Sequence, residues 1–145
     1  MLIRTAHIQD IQQIQAVRNS VKENILSHPT IVSDKDVEEY ITQRGKGWVC
    51  AIENQIVGFA IVDIKEHNVW ALFVLPEFQG RGIGKKLHNI LLEFYFTTTK
   101  DTLWLSTESN TRAELFYSQQ GWQNAGVRDN GEVKLEMSSE IWRDL

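Results

Sequence analysis

The stretch Leu72-Phe73-Val74-Leu75-Pro76-Glu77-Phe78-Gln79-Gly80-Arg81-Gly82-Ile83-Gly84-Lys85-Lys86 constrains this chain more than any other. An apolar run of β-forming residues stops at Pro76. Beyond it, Ile83, Leu87, Ile90, Leu91 and Phe94 recur at the spacing of one helical face, predicting a helix over Gly82 to Thr97. Three glycines alternate at the junction between strand and helix. A helix N-terminus carries unpaired N–H groups and a partial positive charge, and glycines let phosphate oxygens approach its backbone without a Cβ in the way. Arg81, Lys85 and Lys86 concentrate positive charge here, although the whole chain carries a formal net charge of -4. The segment Gln79 to Lys85 therefore reads as a cradle for phosphate.

Two common phosphate loops fail on specific residues. A nucleotide-triphosphate loop needs Ser or Thr after Gly84-Lys85, where Lys86 stands. A dinucleotide fingerprint starting at Gly80 and Gly82 needs glycine at position 85, which is lysine.

The flanking sequence supplies the rest of the fold. Leu2 to Thr5 suits a short strand, and Ile8, Ile11, Ile14, Val17 and Val21 give His7 to Lys22 one apolar helical face. Glu23 to Ser33 breaks the pattern and reads as a loop. Ser33 is a natural N-cap for a helix over Asp34 to Arg44, with Val37, Tyr40 and Ile41 inward and Gly45 and Gly47 closing it. Trp48 to Glu53, Ile56 to Lys65 and Asn68 to Leu75 read as an antiparallel meander turned at Asn54-Gln55 and Glu66-His67. After the central helix come a strand, Thr102 to Thr107, and a helix, Thr111 to Gln120, stopped by Gly121. Strands Trp122 to Arg128 and Glu132 to Ser138, turned at Asp129-Asn130-Gly131, close the chain. The order β-α-α-β-β-β-α-β-α-β-β predicts an α/β fold: a mixed, mostly antiparallel sheet of about six to seven strands with about four helices on its faces.

At 145 residues, with 42% hydrophobic and 23% charged side chains, the chain suits one domain spanning 1–145. The acidic balance argues against a general nucleic-acid binder. No run approaches the ~18 apolar residues of a membrane span. A lone cysteine, Cys50, leaves no internal disulfide, fits a reducing, cytoplasmic compartment, and sits in a run that predicts a buried structural thiol. His7, His28, His67 and His88 are scattered without metal-ligand spacing, so no metal site is expected.

The pattern Gln79-x-x-Gly82-x-Gly84 after a strand resembles the donor-binding motif of the Gcn5-related N-acetyltransferase (GNAT) superfamily. Asn110-x-x-Ala113-x-x-Phe116-Tyr117, closing on Gly121-Trp122, resembles the later helix of that family, so the resemblance covers essentially the whole chain. Glu23-Asn24-Ile25-Leu26-Ser27-His28-Pro29 looks like a segment of a bacterial GNAT subgroup without a clear common substrate. The resemblance implies an acetyl-CoA-dependent N-acetyltransferase that moves acetyl to a primary amine of a small molecule, peptide or protein. A non-catalytic acyl-CoA sensor of the same fold is the alternative. It implies that the donor's arm lies between the strands Asn68 to Leu75 and Thr102 to Thr107. Backbone N–H groups of Gln79, Gly80, Arg81, Gly82, Ile83, Gly84 and Lys85 would take the pyrophosphate, and an N–H near Val74 would face the thioester oxygen. Asn110 would touch the donor arm, and Tyr117 would protonate the departing thiolate.

The family's glutamate early in the strand before the loop is missing, because Asn68-Val69-Trp70-Ala71-Leu72-Phe73 holds nothing titratable. His67 and Glu108 flank the region, and the base stays unassigned. Acceptor choice is expected from Val21 to Tyr40, from the last strands and from Trp70. Arg18 reads as part of a solvated helix face, with binding of an acceptor carboxylate as the alternative. Ile141-Trp142 looks exposed and is compatible with a homodimer formed through the C-terminal strands.

Overall fold

Cβ atoms would find no room at two glycines that sequence reading assigned to the end of a helix. In the computed structural model, which describes residues 1–21 and 32–145, Gly45 and Gly47 belong to strand β2 (Gly45–Ile52). A Cβ on Gly47 would come within 2.9 Å of Ile41 Cγ2, and one on Gly45 would collide with the Val62 carbonyl of the neighbouring strand. These glycines start the strand because the neighbouring backbone and Ile41 lie too close for a side chain.

Residues 1–95 form one unit and residues 96–145 a second. The first contains β1 (Leu2–Thr5), a 3-10 turn at Ile8–Asp10, α1 (Ile11–Ser20) and α2 (Asp34–Glu39). A single wider turn over Tyr40–Arg44 follows, then β2, β3 (Gln55–Asp63) and β4 (Asn68–Val74). Its sheet runs β1-β2-β3-β4, all pairings antiparallel. The expected Ser33 cap is present: Asp36 N donates to Ser33 Oγ at 3.0 Å, and Ser33 N donates back to Asp36 Oδ2. The β2–β3 turn sits one residue earlier than expected, on Glu53 and Asn54, both at positive φ (50° and 66°) as a tight hairpin turn requires. The expected loop at Glu23 to Ser33 and the motif segment Glu23 to Pro29 lie wholly or mostly outside the described residues.

Helix α3 (Ile83–Thr98) leaves the loop after a 3-10 turn at Pro76–Phe78 and crosses the boundary between the units. Ile14, Val17, Phe59, Ile61, Ile83, Leu87 and Leu91 are each at most 2% exposed, and they form the core of the first unit. Each such side chain contributes about 1.5–3 kcal/mol of hydrophobic stabilisation. Gly58 sets how closely α3 rests on β3, since a Cβ there would meet Leu87, Ile83 and the Phe73 carbonyl at 3.2–3.3 Å.

The second unit holds β5 (Leu103–Thr107), α4 (Arg112–Gln119), β6 (Gln123–Val127), β7 (Val133–Met137) and α5 (Ser139–Arg143). Its strands run β5-β7-β6, with antiparallel pairings. Leu103, Leu105, Tyr117, Trp122, Leu135 and Met137 are buried. Helix α5 was not anticipated. Ser138 caps it by accepting from Ile141 N at 3.2 Å, and Trp142 stacks on Phe96 at 5.4 Å, so Ile141-Trp142 is half-buried within its own unit.

Among the described residues no helix is long and apolar enough to cross a membrane.

Candidate active site

The loop between β4 and α3 has the form its glycines suggest. Gly80 and Gly82 both adopt φ +80°, a conformation that side chains with a Cβ rarely take, and a Cβ at either would meet nothing within 4 Å. The space above the loop is open. Gly84 is different, because it is already the second residue of α3. Lys86 N closes a helical turn onto Gly82 O at 3.1 Å. The N–H groups of Ile83, Gly84 and Lys85 precede that turn and belong to the part of a helix that lacks intrahelical acceptors. Gly80, Arg81, Gly82, Lys85 and Lys86 are exposed. The Ile83 side chain is only 2% exposed, so this residue could meet a donor through its backbone alone. Arg81 lies over the Phe78 ring at 4.9 Å, which holds its guanidinium beside the loop.

Val74 gains a specific orientation from the β3–β4 register. Leu75 N donates to Val57 O at 2.8 Å, and Val74 is the next position, opposite Gly58. In an antiparallel ladder hydrogen-bonded pairs alternate with non-hydrogen-bonded ones. The Val74 N–H and C=O therefore point away from β3. Gln79 Nε2 reaches back to that carbonyl at 3.4 Å, tying the loop to the strand that precedes it.

A bulge interrupts β4 just upstream. Ile61 pairs with Ala71 and Val62 with Val69, leaving Trp70 without an opposite number. Its indole lies on the Tyr40 ring, centroids 3.9 Å apart and planes 7° from parallel. Arg18 lies over Trp70 at 5.1 Å and over Phe73 at 5.4 Å, and Arg44 lies over Tyr40 at 5.2 Å. Arg44 is in turn held by Asp63 Oδ2 at 2.9 Å. Arg18 is thus not on a solvated face as its sequence position suggested. It is half-buried, and burial draws its pKa below the usual arginine value. Tyr40, expected inward, is half-buried through this stack.

His67 occupies the β3–β4 turn at φ 60°, and its Nδ1 is 3.0 Å from the hydroxyl of Tyr95, a fully buried residue. That bond gives it a structural task in the turn. Cys50 is a buried free thiol whose pKa burial pushes up, as expected of a structural residue. A groove of about 550 Å³ opens among Ile8, Ile11, Asp34, Lys35 and neighbouring residues, and it shares no residue with the donor loop.

In the second unit, Asn110 is exposed and sits at φ 62°, a left-handed position that asparagine tolerates better than most residues. Its N–H donates to Glu114 Oε1 at 2.9 Å, and Thr111 caps α4 by accepting from Glu114 N. Asn110 thus shapes the entry to the helix that carries Tyr117. Glu108 is half-buried, and its carbonyl accepts from Thr111 Oγ1 at 2.8 Å. Tyr117 is 7% exposed and wedged edge-on between Phe116 (5.2 Å) and Trp122 (5.5 Å). Burial pushes its hydroxyl pKa well above the ordinary tyrosine value, so it holds its proton throughout the physiological range.

Sequence reading missed one polar pair. Glu132, 7% exposed, accepts from Ser106 Oγ at 2.6 Å and from Asn130 Nδ2 at 3.1 Å. The local signals were a serine inside the apolar strand Leu103-Trp104-Leu105-Ser106 and an acid directly after the Asn130-Gly131 turn.

The sequence profile of the Acetyltransferase (GNAT) family matches residues 9–122, which takes in the donor loop, Asn110 and Tyr117. The chain belongs to that family. It is 33% identical over 79 residues to a [ribosomal protein bS18]-alanine N-acetyltransferase of Haemophilus influenzae. That match covers 53% of this chain and 54% of the relative, so the chain spans about half of the relative's length. Among solved structures, an N-acetyltransferase from Staphylococcus aureus Mu50 superposes with a TM-score of 0.80 at 15% identity, covering 95% of this chain and 98% of that one. The PaiA N-acetyltransferase of Thermoplasma acidophilum, solved in complex with coenzyme A, gives 0.73 at 16% identity, covering 94% and 98%. These two likenesses show the fold, the mixed α/β GNAT arrangement.

Proposed function

We propose that this chain is an N-acetyltransferase that transfers acetyl from acetyl-CoA to a primary amine by direct attack of the amine on the thioester. The observation that carries the reading is the pair of glycines at φ +80° under open space, placed at the start of α3 inside the family match. Gly80 to Lys85 would hold the pyrophosphate through backbone N–H groups, with Arg81 and Lys85 adding charge. Val74, its N–H turned away from β3, would face the thioester oxygen, where a fixed donor stabilises developing negative charge. Asn110 would meet the donor arm. Tyr117 would supply a proton to the departing sulfur. A family match that runs across the boundary at residue 95 supports one acyltransferase domain over 1–145.

The acceptor is an amine on a small molecule, a peptide or a protein. The name of the Haemophilus influenzae relative makes the α-amine of an N-terminal alanine the first to try. A single reduced thiol fits a cytoplasmic setting.

Two measurements test the reading. Titration calorimetry with acetyl-CoA should give saturable heat, and release of free thiol should follow on adding an amine. The amine panel would comprise an alanine-initiated peptide, a lysine-containing peptide and spermidine. Heat without thiol release across the panel favours a non-catalytic acyl-CoA sensor. No heat at all removes both readings.

A further inference from the structure

Gln79 stands first in the Gln79-x-x-Gly82-x-Gly84 pattern, yet its backbone is already engaged. Its N–H donates to Pro76 O at 3.3 Å, at the end of the 3-10 turn over Pro76–Phe78. The N–H expected at the pyrophosphate is therefore taken, and what the residue has left to offer is its side chain. The same turn brings that half-buried side chain back onto the end of β4, where Nε2 donates to Val74 O at 3.4 Å. Only the amide nitrogen can donate to a carbonyl, so the contact also sets which way the amide faces.

Val74 is the position at which such a contact has chemical weight. It lies opposite Gly58, next to the hydrogen bond from Leu75 N to Val57 O, and turns both its N–H and its C=O to the outer side of β4. The two groups stand side by side, one a donor and the other an acceptor. An anion that meets the N–H also meets the negative end of the carbonyl dipole, which opposes it. The next carbonyl, that of Leu75, accepts from Phe78 N at 2.9 Å. At Val74 the covering donor is the Gln79 amide, supplied from five residues further along the chain.

We propose that Gln79 is a positioning residue for acyl transfer, whose side chain neutralises the Val74 carbonyl so that the adjacent Val74 N–H can hold the charge developing on the thioester oxygen. The proposal rests on the acyltransferase reading, in which that N–H faces the thioester oxygen, and every group it uses lies in the first unit. The amine lone pair forms the N–C bond as the carbonyl π pair moves onto oxygen. That pair then returns, and the C–S bond breaks with its electrons on sulfur. Sulfur takes up one proton as nitrogen sheds one. Full negative charge rests on the oxygen only between these events, so the Gln79 contact stabilises the transition state more than the bound thioester. Its signature is in turnover rather than in donor affinity.

The test compares the full chain with Gln79→Met and Gln79→Arg in thiol release at saturating acetyl-CoA. The amines are an alanine-initiated peptide, a lysine-containing peptide and spermidine. Methionine keeps an unbranched side chain of similar length and removes the N–H groups without adding charge, whereas arginine keeps N–H donors. Gln79→Met should lose about tenfold in turnover, less than the roughly 100-fold or more that follows removal of an oxyanion donor itself. Its acetyl-CoA affinity, read by calorimetry, should stay within about twofold of that of the unaltered chain. Gln79→Arg should recover about half of the original turnover or more.

Full turnover in Gln79→Met overturns the proposal. So does an acetyl-CoA affinity that falls in step with turnover, the mark of a contact that only holds the loop in shape. Turnover in Gln79→Arg as low as in Gln79→Met overturns it too, since a restored donor then restores nothing. Each of these results leaves the acyltransferase reading standing. No thiol release from the unaltered chain with any of the amines overturns that reading and the role of Gln79 together.

Discussion

The Tyr40 ring lies flat against the Trp70 indole, 3.9 Å between centroids and 7° from parallel, and this joins the turn after α2 to the bulge of β4. A parallel aromatic pair of this kind adds roughly 0.5–1.5 kcal/mol beyond the area it buries. Arg18 and Arg44 extend the stack on either side. Trp70→Ala should therefore loosen α1 and the α2 turn together. The expected cost is about 1–3 kcal/mol, less than for a fully buried tryptophan because Trp70 is half-buried. Acetyl-CoA affinity should hold while KM for the amine rises. Equal losses in both affinities would show that the stack supports the donor loop instead.

Gly82→Ala separates backbone strain from steric fit. No atom lies within 4 Å of the added Cβ, so the whole penalty comes from forcing alanine to φ +80°. That costs about 1–2 kcal/mol. Relaxation of the loop toward negative φ would re-aim its N–H groups and weaken acetyl-CoA binding by about tenfold, equivalent to ~1.4 kcal/mol. Chemical denaturation and calorimetry on one preparation measure the two effects.

Tyr117→Phe removes the hydroxyl and keeps the ring between Phe116 and Trp122. Turnover should fall about 100-fold with acetyl-CoA affinity almost unchanged. Unchanged turnover would sink the assignment of Tyr117 as the acid. The same variant has a stability signature. Burial raises the folded-state pKa of Tyr117 above the unfolded value of ~10. Its neutral form favours the native state fully below pH ~10, and that contribution is lost as pH climbs from there toward the folded pKa. The alkaline unfolding limb should be shallower in Tyr117→Phe than in the unaltered chain.

The acid limb should report on Asp10. Its carboxylate takes two bonds from Arg4, at 2.8 and 2.9 Å, and one from His7 N at 2.8 Å. The Arg4 bonds are the main cause of its lowered pKa. A depressed pKa contributes stability that is complete above the unfolded value of ~3.9 and disappears as pH falls through the folded one. Asp10→Asn should lose about 1–3 kcal/mol at neutral pH and show less acid dependence, measured by urea unfolding at stepped pH.

Local signals in the sequence were read well, and non-local ones were not. The Ser33 cap, the α3 periodicity and the stop at Gly121, at φ 100°, are each specified within a few residues, and each is present. Gly45 and Gly47 misled because a glycine after a helical pattern has the same local appearance whether it ends a helix or makes room for a neighbouring strand. Helix α5, at five residues, is too short to show periodicity. Its only local mark was Ser138. The Ser106–Glu132 and Tyr40–Trp70 pairs join residues 26 and 30 apart, and nothing near either member identifies the other. The bulge at Trp70 was equally hidden, because a uniformly apolar strand has no alternation for an extra residue to disturb.

That extra residue works like a frameshift in β4. Side chains alternate faces along a strand, so one additional residue inverts the parity of everything on one side of it relative to β3. Asn68 and Val69 keep one phase with their partners, and Ala71 to Val74 keep the other. Removing residue 70 would restore an uninterrupted ladder, yet it would exchange the faces of every position on one side of the gap. Either the start of the strand or the Val74 end could stay in phase with β3, but not both. A single inserted residue thus lets the segment below the donor loop follow a geometric rule separate from that of the strand's beginning.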